Sequence, residues 1–313
     1  MENATFYPKV AGGPAVGSAY WIYANDGVRL RVAAWQTDVA SKGTVFMFPG
    51  RTEYIEKLGP TANELGKRGF VTFAIDWRGQ GLADRITDNP ITSHVAQFAD
   101  YQKDVMAMVA AARDLDLPKP WYLLGHSMGA CIGLRAAIAG LPMEACAFTG
   151  PMWDLHLSQI ERAAAWPLTW IANAIGKGHV FAPGNKPQED CCYVLSVGFE
   201  GNRLTSDPEM FGYMVKQAED LPDLQTGAPS MGWVLEALKE CRALSKMHSP
   251  SMPCIALCGE GDVVVDIASV VDRMDRWSGG KLELIPNARH DIMFEVPEVR
   301  EHVIKKICDQ FSD

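Results

Sequence analysis

The chain has 313 residues, of which 48% are hydrophobic and 21% charged, and it carries a formal net charge of −9 at pH 7. This composition favours one large α/β domain with room for an inserted segment, and it excludes an intrinsically disordered chain. The acidic balance and the lack of a basic stripe in the sequence exclude a nucleic-acid partner.

Short apolar segments alternate with helical segments along the first half of the chain. Two strands are predicted at 20–23 and 28–35, on either side of the turn signal Asn25-Asp26-Gly27. Further strands are predicted at 43–48, 70–75, 121–124 and 145–149, with helices at 54–68, 94–115 and after 128. Because these strands are apolar throughout, we predict a mostly parallel central sheet covered by helices on both faces.

The alternation stops between residues 152 and 246, where the sequence is helical and carries scattered aromatic residues. Strands at 254–258 and 281–285 and helices at 267–277 and 298–311 then resume the pattern. We therefore predict a core made of 1–151 and 247–313, with a helical cap inserted over 152–246.

The pentapeptide Gly125-His126-Ser127-Met128-Gly129 lies between the predicted strand 121–124 and a predicted helix. This G-x-S-x-G pattern in a strand–turn–helix context is typical of a nucleophile elbow, which presents a serine on a sharp turn. The two glycines leave room for strained backbone, and the start of the helix directs N–H groups at an oxyanion above Ser127.

A serine nucleophile needs a histidine base and an acid that orients the base, in the chain order serine, acid, histidine. Asp262 ends a Gly-rich turn after the strand 254–258, and His290 ends the loop after the strand 281–285. Both lie at the carboxyl ends of predicted parallel strands, where active sites of open α/β sheets form. Asp266 is the competing acid, although its position before a helix favours an N-cap role.

The second oxyanion donor is expected from the turn after an earlier strand. The segment 49–53 is that turn, and Gly50 is expected to adopt an unusual backbone angle there. The backbone N–H of Arg51 would then face the site alongside the N–H of Met128.

These motifs carry a family resemblance. The elbow 125–129, Asp262 and His290 resemble the α/β-hydrolase superfamily. More specifically, the turn at 49–53, the segment Asp76-Trp77-Arg78-Gly79-Gln80-Gly81 and the run His94-Val95…Phe98…Asp100-Tyr101 are similar to bacterial lysophospholipase L2-like proteins. Those proteins are relatives of the monoacylglycerol lipases within the serine aminopeptidase (S33)-type α/β-hydrolases. The resemblance spans about residues 28–311 and implies an α/β-hydrolase fold. It also implies the site residues, with the catalytic triad Ser127, Asp262 and His290 and the oxyanion amides Arg51 and Met128.

Metal and cofactor motifs are not found in the sequence: it has no HExxH, P-loop or convincing GxGxxG pattern. We therefore expect no metal and no cofactor, and a small lipid-like or ester molecule as substrate. Trp166 and Trp170, on the apolar face of 160–175, are predicted to bind substrate near the entrance to Ser127. This face is long enough for transient contact with a lipid surface, although packing against the cap interior is the stronger alternative.

The beginning of the chain does not resemble a signal peptide, and no run approaches the roughly 20 apolar residues of a spanning helix. The eight cysteines lie mostly in apolar segments, as buried thiols of a reducing compartment do. We therefore expect a soluble cytoplasmic protein.

Three functions fit the sequence. The first is a serine esterase of lysophospholipase or monoacylglycerol lipase type, and the second is a serine aminopeptidase-type peptidase with Glu189 or Asp190 as an anchor for the substrate amine. The third is a non-catalytic ligand receptor, against which the complete set of triad residues speaks.

Overall fold

A computed structural model of the chain describes residues 1–37, 39–184 and 186–312. Within these residues, nine strands form one sheet in the order β1-β2-β3-β5-β4-β6-β7-β8-β9. The strands are β1 (Glu2–Asn3), β2 (Gly17–Tyr23), β3 (Arg29–Trp35), β4 (Thr44–Phe48), β5 (Val71–Asp76), β6 (Trp121–His126), β7 (Ala145–Thr149), β8 (Cys254–Gly259) and β9 (Gly280–Ile285). The three pairs from β1 to β5 are antiparallel and the five pairs from β5 to β9 are parallel. The predicted α/β fold with a mostly parallel sheet is confirmed.

Helices cover both faces of this sheet. They are α1 (Pro8–Ala11), α2 (Gly59–Lys67), α3 (Tyr101–Asp114), α4 (Met128–Ile138), α5 (Gln159–Ala174), α6 (Tyr193–Ser196), α7 (Pro208–Asp220), α8 (Met231–Leu244), α9 (Ile267–Asp275) and α10 (Pro297–Gln310). The α3, α4, α8 and α9 helices contribute to the core on one face, and α2, α7 and α10 to the core on the other. Along β4, Phe46 and Phe48 enter the first core and Val45 and Met47 the second, because successive strand side chains point to opposite faces.

Two predicted boundaries can be compared in detail. The turn at 25–27 joins β2 to β3 as an antiparallel hairpin, in which Gly27 adopts a positive φ of 86°. The helix predicted from 94 begins instead at Tyr101, after a single 3₁₀ turn over Phe98–Asp100. A capping box between Gln97 and Asp100 sets this start, while the preceding residues pack against the segment that leads into α8.

The segment 152–246, which we call the cap segment, connects β7 to β8 and contains α5, α6, α7 and α8. Helix α5 begins with a second capping box, formed by Ser158 and Glu161, and packs against α8. Short 3₁₀ helices at Lys186–Glu189, Phe199–Gly201 and Pro222–Leu224 join the longer elements. We retain the division into core and cap as a proposal.

In the described part of the chain, none of the helices is both long and apolar enough to cross a membrane. All eight cysteines are free thiols; Cys191 is half-buried and the other seven are buried.

Candidate active site

Ser127 lies on a sharp turn between β6 and α4, with φ of 52° and ψ of −117°. Non-glycine residues rarely adopt this conformation, so the surrounding structure must hold it in place. A side chain at Gly125 would collide with the backbone of Ala130, and one at Gly129 would overlap the carbonyl group of Phe48. The glycines of the pentapeptide are therefore required by close backbone approach, and Ser127 has the geometry of a nucleophile elbow.

The predicted serine, histidine and acid are joined by hydrogen bonds. His290 Nε2 lies 3.0 Å from Ser127 Oγ, and His290 Nδ1 lies 2.6 Å from Asp262 Oδ2. All three side chains are buried. In this arrangement the Nδ1–H group donates to the carboxylate, which leaves Nε2 free to accept the hydroxyl proton of Ser127.

Both carboxylate oxygens of Asp262 accept hydrogen bonds. Its Oδ1 atom accepts N–H bonds from Val264 at 2.7 Å and from Val265 at 3.2 Å, while Oδ2 accepts from His290. Burial opposes ionisation of Asp262, yet these donors keep its pKa below the usual value, so that it is an anion at neutral pH. The competing acid Asp266 caps the N-terminus of α9 through the N–H of Ala268 and does not contact His290.

Sheet topology brings these residues together. The elbow follows β6, Asp262 follows β8 and His290 follows β9, and all three strands run parallel. Their carboxyl ends therefore meet at one edge of the sheet. The turn 49–53 follows β4, which pairs with β6, and this places it directly beside the elbow.

The turn 49–53 presents one unused amide to this edge. The N–H of Gly50 donates to Glu53 Oε2 at 2.5 Å, and the N–H of Thr52 donates to Gln80 Oε1 at 3.2 Å. The backbone N–H groups of Arg51 and Met128 have no acceptor among the described residues. These two amides are the ones predicted as oxyanion donors.

The expectation that Gly50 adopts an unusual backbone angle is wrong, because the positive φ in this turn, 67°, belongs to Thr52. Gly50 is needed for space instead: an added Cβ would lie 3.2 Å from Ser127 Cβ and 3.1 Å from Glu53 Oε2. Two side chains of the 76–81 segment brace the turn. Gln80 Nε2 donates to the carbonyl of Gly50 at 3.1 Å, and Trp77 Nε1 donates to that of Pro49 at 2.9 Å.

A buried charged cluster, which sequence reasoning did not identify, lies behind the site. Lys57 Nζ donates to Glu53 and also to Asp291 Oδ2, at 2.5 Å from the latter. Both carboxylates lie 3.9 Å from His126 Nε2. Glu53, His126 and Asp291 are a set of metal-ligand types in the described chain, but the ammonium group of Lys57 already supplies their positive charge.

This cluster connects three pieces of the site, because Glu53 belongs to the turn 49–53, His126 precedes Ser127 and Asp291 follows His290. Burial lowers the pKa of Lys57, but the two carboxylates outweigh it and raise the pKa above the usual range. The signal in the sequence is the four-residue spacing of Glu53 and Lys57, at which an acid and a base can form an ion pair on one helical turn.

Ser127 opens into a cavity of about 410 Å³ between the sheet and the cap segment. Most of its wall is apolar, and its residues include Met152, Leu155, Ala164, Ala165, Leu168, Thr169, Met231, Val264 and Val265. The structure does not place Trp166 or Trp170 in this wall, since Trp166 lines a neighbouring depression and Trp170 is exposed. Glu189 and Asp190 are likewise absent from the described wall of the cavity.

The fold and the arrangement of the site are those of one class of protein, the α/β-hydrolases. The family model for "Serine aminopeptidase, S33" matches residues 39–297, and the chain belongs to this family. The predicted resemblance is thereby confirmed.

Among curated relatives, the chain is 28% identical over 292 residues to lysophospholipase L2 of Escherichia coli, covering 86% of this chain and 80% of the relative. It is also 28% identical over 279 residues to a monoacylglycerol lipase of Mycolicibacterium smegmatis, covering 87% and 89%. A solved structure of a monoglyceride lipase variant from Saccharomyces cerevisiae, in complex with a substrate analog, superposes with a TM-score of 0.72 at 19% identity, over 93% of each chain. The chain is a lipase/esterase-like α/β-hydrolase.

Proposed function

We propose that this protein is a serine hydrolase of carboxylic esters, of lysophospholipase or monoacylglycerol lipase type. The observation that carries the proposal is the hydrogen-bonded series Ser127–His290–Asp262 at the end of a largely apolar cavity. An activated serine supplies the chemistry of acyl transfer, and the apolar wall suits the acyl chain of a lipid-like ester. The curated relatives are a lysophospholipase and a monoacylglycerol lipase, which supports the same substrate class.

The mechanism follows from the positions of the atoms. Ser127 Oγ attacks the ester carbonyl while His290 Nε2 takes its proton, and the negative charge that develops on the carbonyl oxygen is stabilised by the N–H groups of Arg51 and Met128. His290 then protonates the departing alcohol, which leaves an acyl-enzyme. Water, deprotonated by His290, hydrolyses this intermediate and releases the fatty acid. Asp262 remains an anion throughout and stabilises the imidazolium.

The outer face of α5 carries exposed apolar side chains close to the cavity. Ile160 is 83% exposed and Trp170 61% exposed, and Ile171 and Ile175 extend the same apolar surface. Ala165 and Thr169, on the adjacent face of the helix, line the cavity. We propose that α5 contacts the surface of a membrane or micelle transiently, with Trp170 at the interface.

The peptidase alternative fits the cavity less well. An aminopeptidase must hold the protonated amine of its substrate, which requires an acidic group near the nucleophile. Among the described residues, the cavity wall carries two charged side chains, Glu161 and Arg51. Glu161 is exposed and accepts the backbone N–H of Ser158, whereas Arg51, in the turn 49–53 beside the elbow, is a cation that repels an ammonium group. Ester cleavage involves no such charge conflict.

The test is a substrate panel of p-nitrophenyl esters from acetate to palmitate and of aminoacyl anilides. We expect ester hydrolysis with a preference for medium or long acyl chains, and little or no anilide cleavage. Ser127→Ala should lower ester turnover by a factor on the order of 10⁴ while the circular dichroism spectrum is unchanged. Preferential anilide cleavage would overturn the ester assignment. A Ser127→Ala protein with a tenth of the wild-type rate would overturn the assigned nucleophile.

A further inference from the structure

Arg51 is the cationic residue in the described wall of the cavity in front of Ser127. Its Nη1 atom donates to the carbonyl oxygen of Gly227 at 2.7 Å, and its guanidinium carbon lies 5.5 Å from the centre of the Trp233 ring. No carboxylate of the described residues lies within ion-pair distance of Arg51. The guanidinium group, which has five N–H donors, therefore has one hydrogen-bond acceptor.

Other arginines of this chain that lack a carboxylate partner are satisfied differently. Arg85 donates five hydrogen bonds, four to backbone carbonyl groups and one to the hydroxyl of Thr226. Arg273 donates three, two to carbonyl groups and one to a serine hydroxyl. In both arginines, the half-buried Arg85 and the buried Arg273, several acceptors satisfy the guanidinium group. Arg51 has unused donors at the wall of a cavity that must admit a ligand.

The Arg51 side chain is charged and is held in a fixed position. Burial lowers the pKa of its guanidinium to about 10, which leaves it cationic at neutral pH. The contacts with Gly227 and with the Trp233 ring fix it at two points in the cap segment, so a ligand does not have to order a free side chain.

We propose that the Arg51 guanidinium is a subsite for an anionic phosphate on the alcohol side of the ester, and that the enzyme selects phosphate-bearing lysolipids over uncharged monoacylglycerols. A guanidinium group with free N–H donors matches a phosphate in charge and in fork geometry. This inference rests on the proposed ester hydrolysis and narrows its substrate class.

The distribution of polar and apolar residues in the wall places the phosphate on the alcohol side. The α5 residues Ala164, Ala165 and Leu168 present an apolar surface that accommodates an acyl chain and would not solvate an anion. Glu161, the acidic residue of the wall, is exposed and accepts the backbone N–H of Ser158 at 2.8 Å. It does not neutralise Arg51.

The kinetic test compares two esters that differ only by the phosphate, 1-octanoylglycerol 3-phosphate and 1-octanoylglycerol, both below their aggregation limits. We expect wild-type kcat/KM to be about 10- to 100-fold higher for the phosphate ester, the range of one charge-assisted interaction. Arg51→Met should reduce that ratio to about one, and Arg51→Lys should retain part of it, because an ammonium group keeps the charge but loses the fork. The control Arg242→Met removes an exposed cation of α8 outside the cavity and should keep the full ratio. Equal wild-type rates for the two esters, or an unchanged ratio in Arg51→Met, would overturn the proposal.

A binding measurement separates this inference from the proposed function. Calorimetric titration of the Ser127→Ala protein with the same two esters requires no turnover. We expect the phosphate ester to bind at least tenfold more tightly, and the double variant with Arg51→Met to lose this difference. If wild type hydrolyses neither ester, the proposed function is wrong, and the titration still decides the role of Arg51. Equal affinity for the two esters in the titration would overturn the proposed phosphate subsite at Arg51.

Discussion

Replacement of Asp262 by asparagine tests how the acid controls the protonation of His290. The Asp262 Oδ1 atom accepts two backbone N–H bonds, from Val264 and Val265, and Oδ2 accepts from His290. An asparagine at 262 keeps its amide oxygen on the two backbone donors, because the flipped orientation would lose both bonds at about 1 to 3 kcal/mol each. The amide NH₂ then faces His290 Nδ1 and donates to it.

This orientation changes the tautomer of the base. Nδ1 becomes the acceptor, and Nε2 carries the proton and cannot accept another from Ser127 Oγ. The flipped, competent orientation has a population of about 3 × 10⁻² to 4 × 10⁻⁵, from the roughly 2 to 6 kcal/mol that separate the two orientations. Because the charge that stabilises the imidazolium is also lost, we expect kcat for p-nitrophenyl butyrate to fall by about 10⁴-fold.

Asp266→Asn is the matched control. Asp266 caps α9 through the N–H of Ala268, and asparagine is an equally good N-cap, so its kcat should stay within about twofold of wild type. In urea melts, both variants should have an unfolding free energy within about 1 kcal/mol of the wild-type value. If Asp262→Asn retained a tenth of the activity, or if Asp266→Asn were the more damaging change, the assignment of the acid would be refuted.

Three further predictions concern the structure around the site. Gly129→Ala should abolish activity and lower the melting temperature, because the added methyl group overlaps the Phe48 carbonyl. Gly133→Ala on the same helix meets only side-chain atoms, at 3.0 Å or more, and should keep activity and lower the melting temperature much less. Lys57→Met should cost about 3 to 5 kcal/mol of unfolding free energy at pH 8, because it leaves Glu53 and Asp291 buried without their cation. The loss should be smaller at pH 5, because a buried carboxyl group without its cation can take up a proton at low pH and lose the unfavourable charge, which returns as the pH rises. Urea melts with equal losses at both pH values would contradict this. Trp170→Ser should leave kcat/KM for monomeric p-nitrophenyl butyrate unchanged and weaken sedimentation with phosphatidylcholine vesicles, and unchanged sedimentation would exclude the residue from lipid contact.

The site residues could be predicted from the sequence where a residue type suited to catalysis directly follows a predicted strand. Ser127, Asp262 and His290 each end or follow a strand, so that a parallel sheet necessarily gathers them at one edge. The two amides could be predicted for the same reason, because Arg51 follows β4 and Met128 follows the elbow.

Side-chain partners across the fold could not be predicted in this way. The bond between Lys57 and Asp291 joins residues 234 positions apart, and no local pattern specifies it. The expected positions of Trp166 and Trp170 at the cavity differ from the structure because side chains one residue apart on a helix point in different directions. Ala165 and Thr169 face the cavity, whereas Trp166 and Trp170 follow them by one residue and are rotated by about 100° around α5.

The charged cluster behind the site also constrains the order in which this protein can change during evolution. Glu53, Lys57 and Asp291 have a combined charge of −1, so a first substitution that neutralises either acid leaves one balanced pair. A first substitution that removes the lysine leaves two buried negative charges beside the nucleophile. Lineages should therefore lose a carboxylate before they lose the lysine, and the three positions should covary across homologues although Asp291 is 234 residues away from Lys57 in the chain.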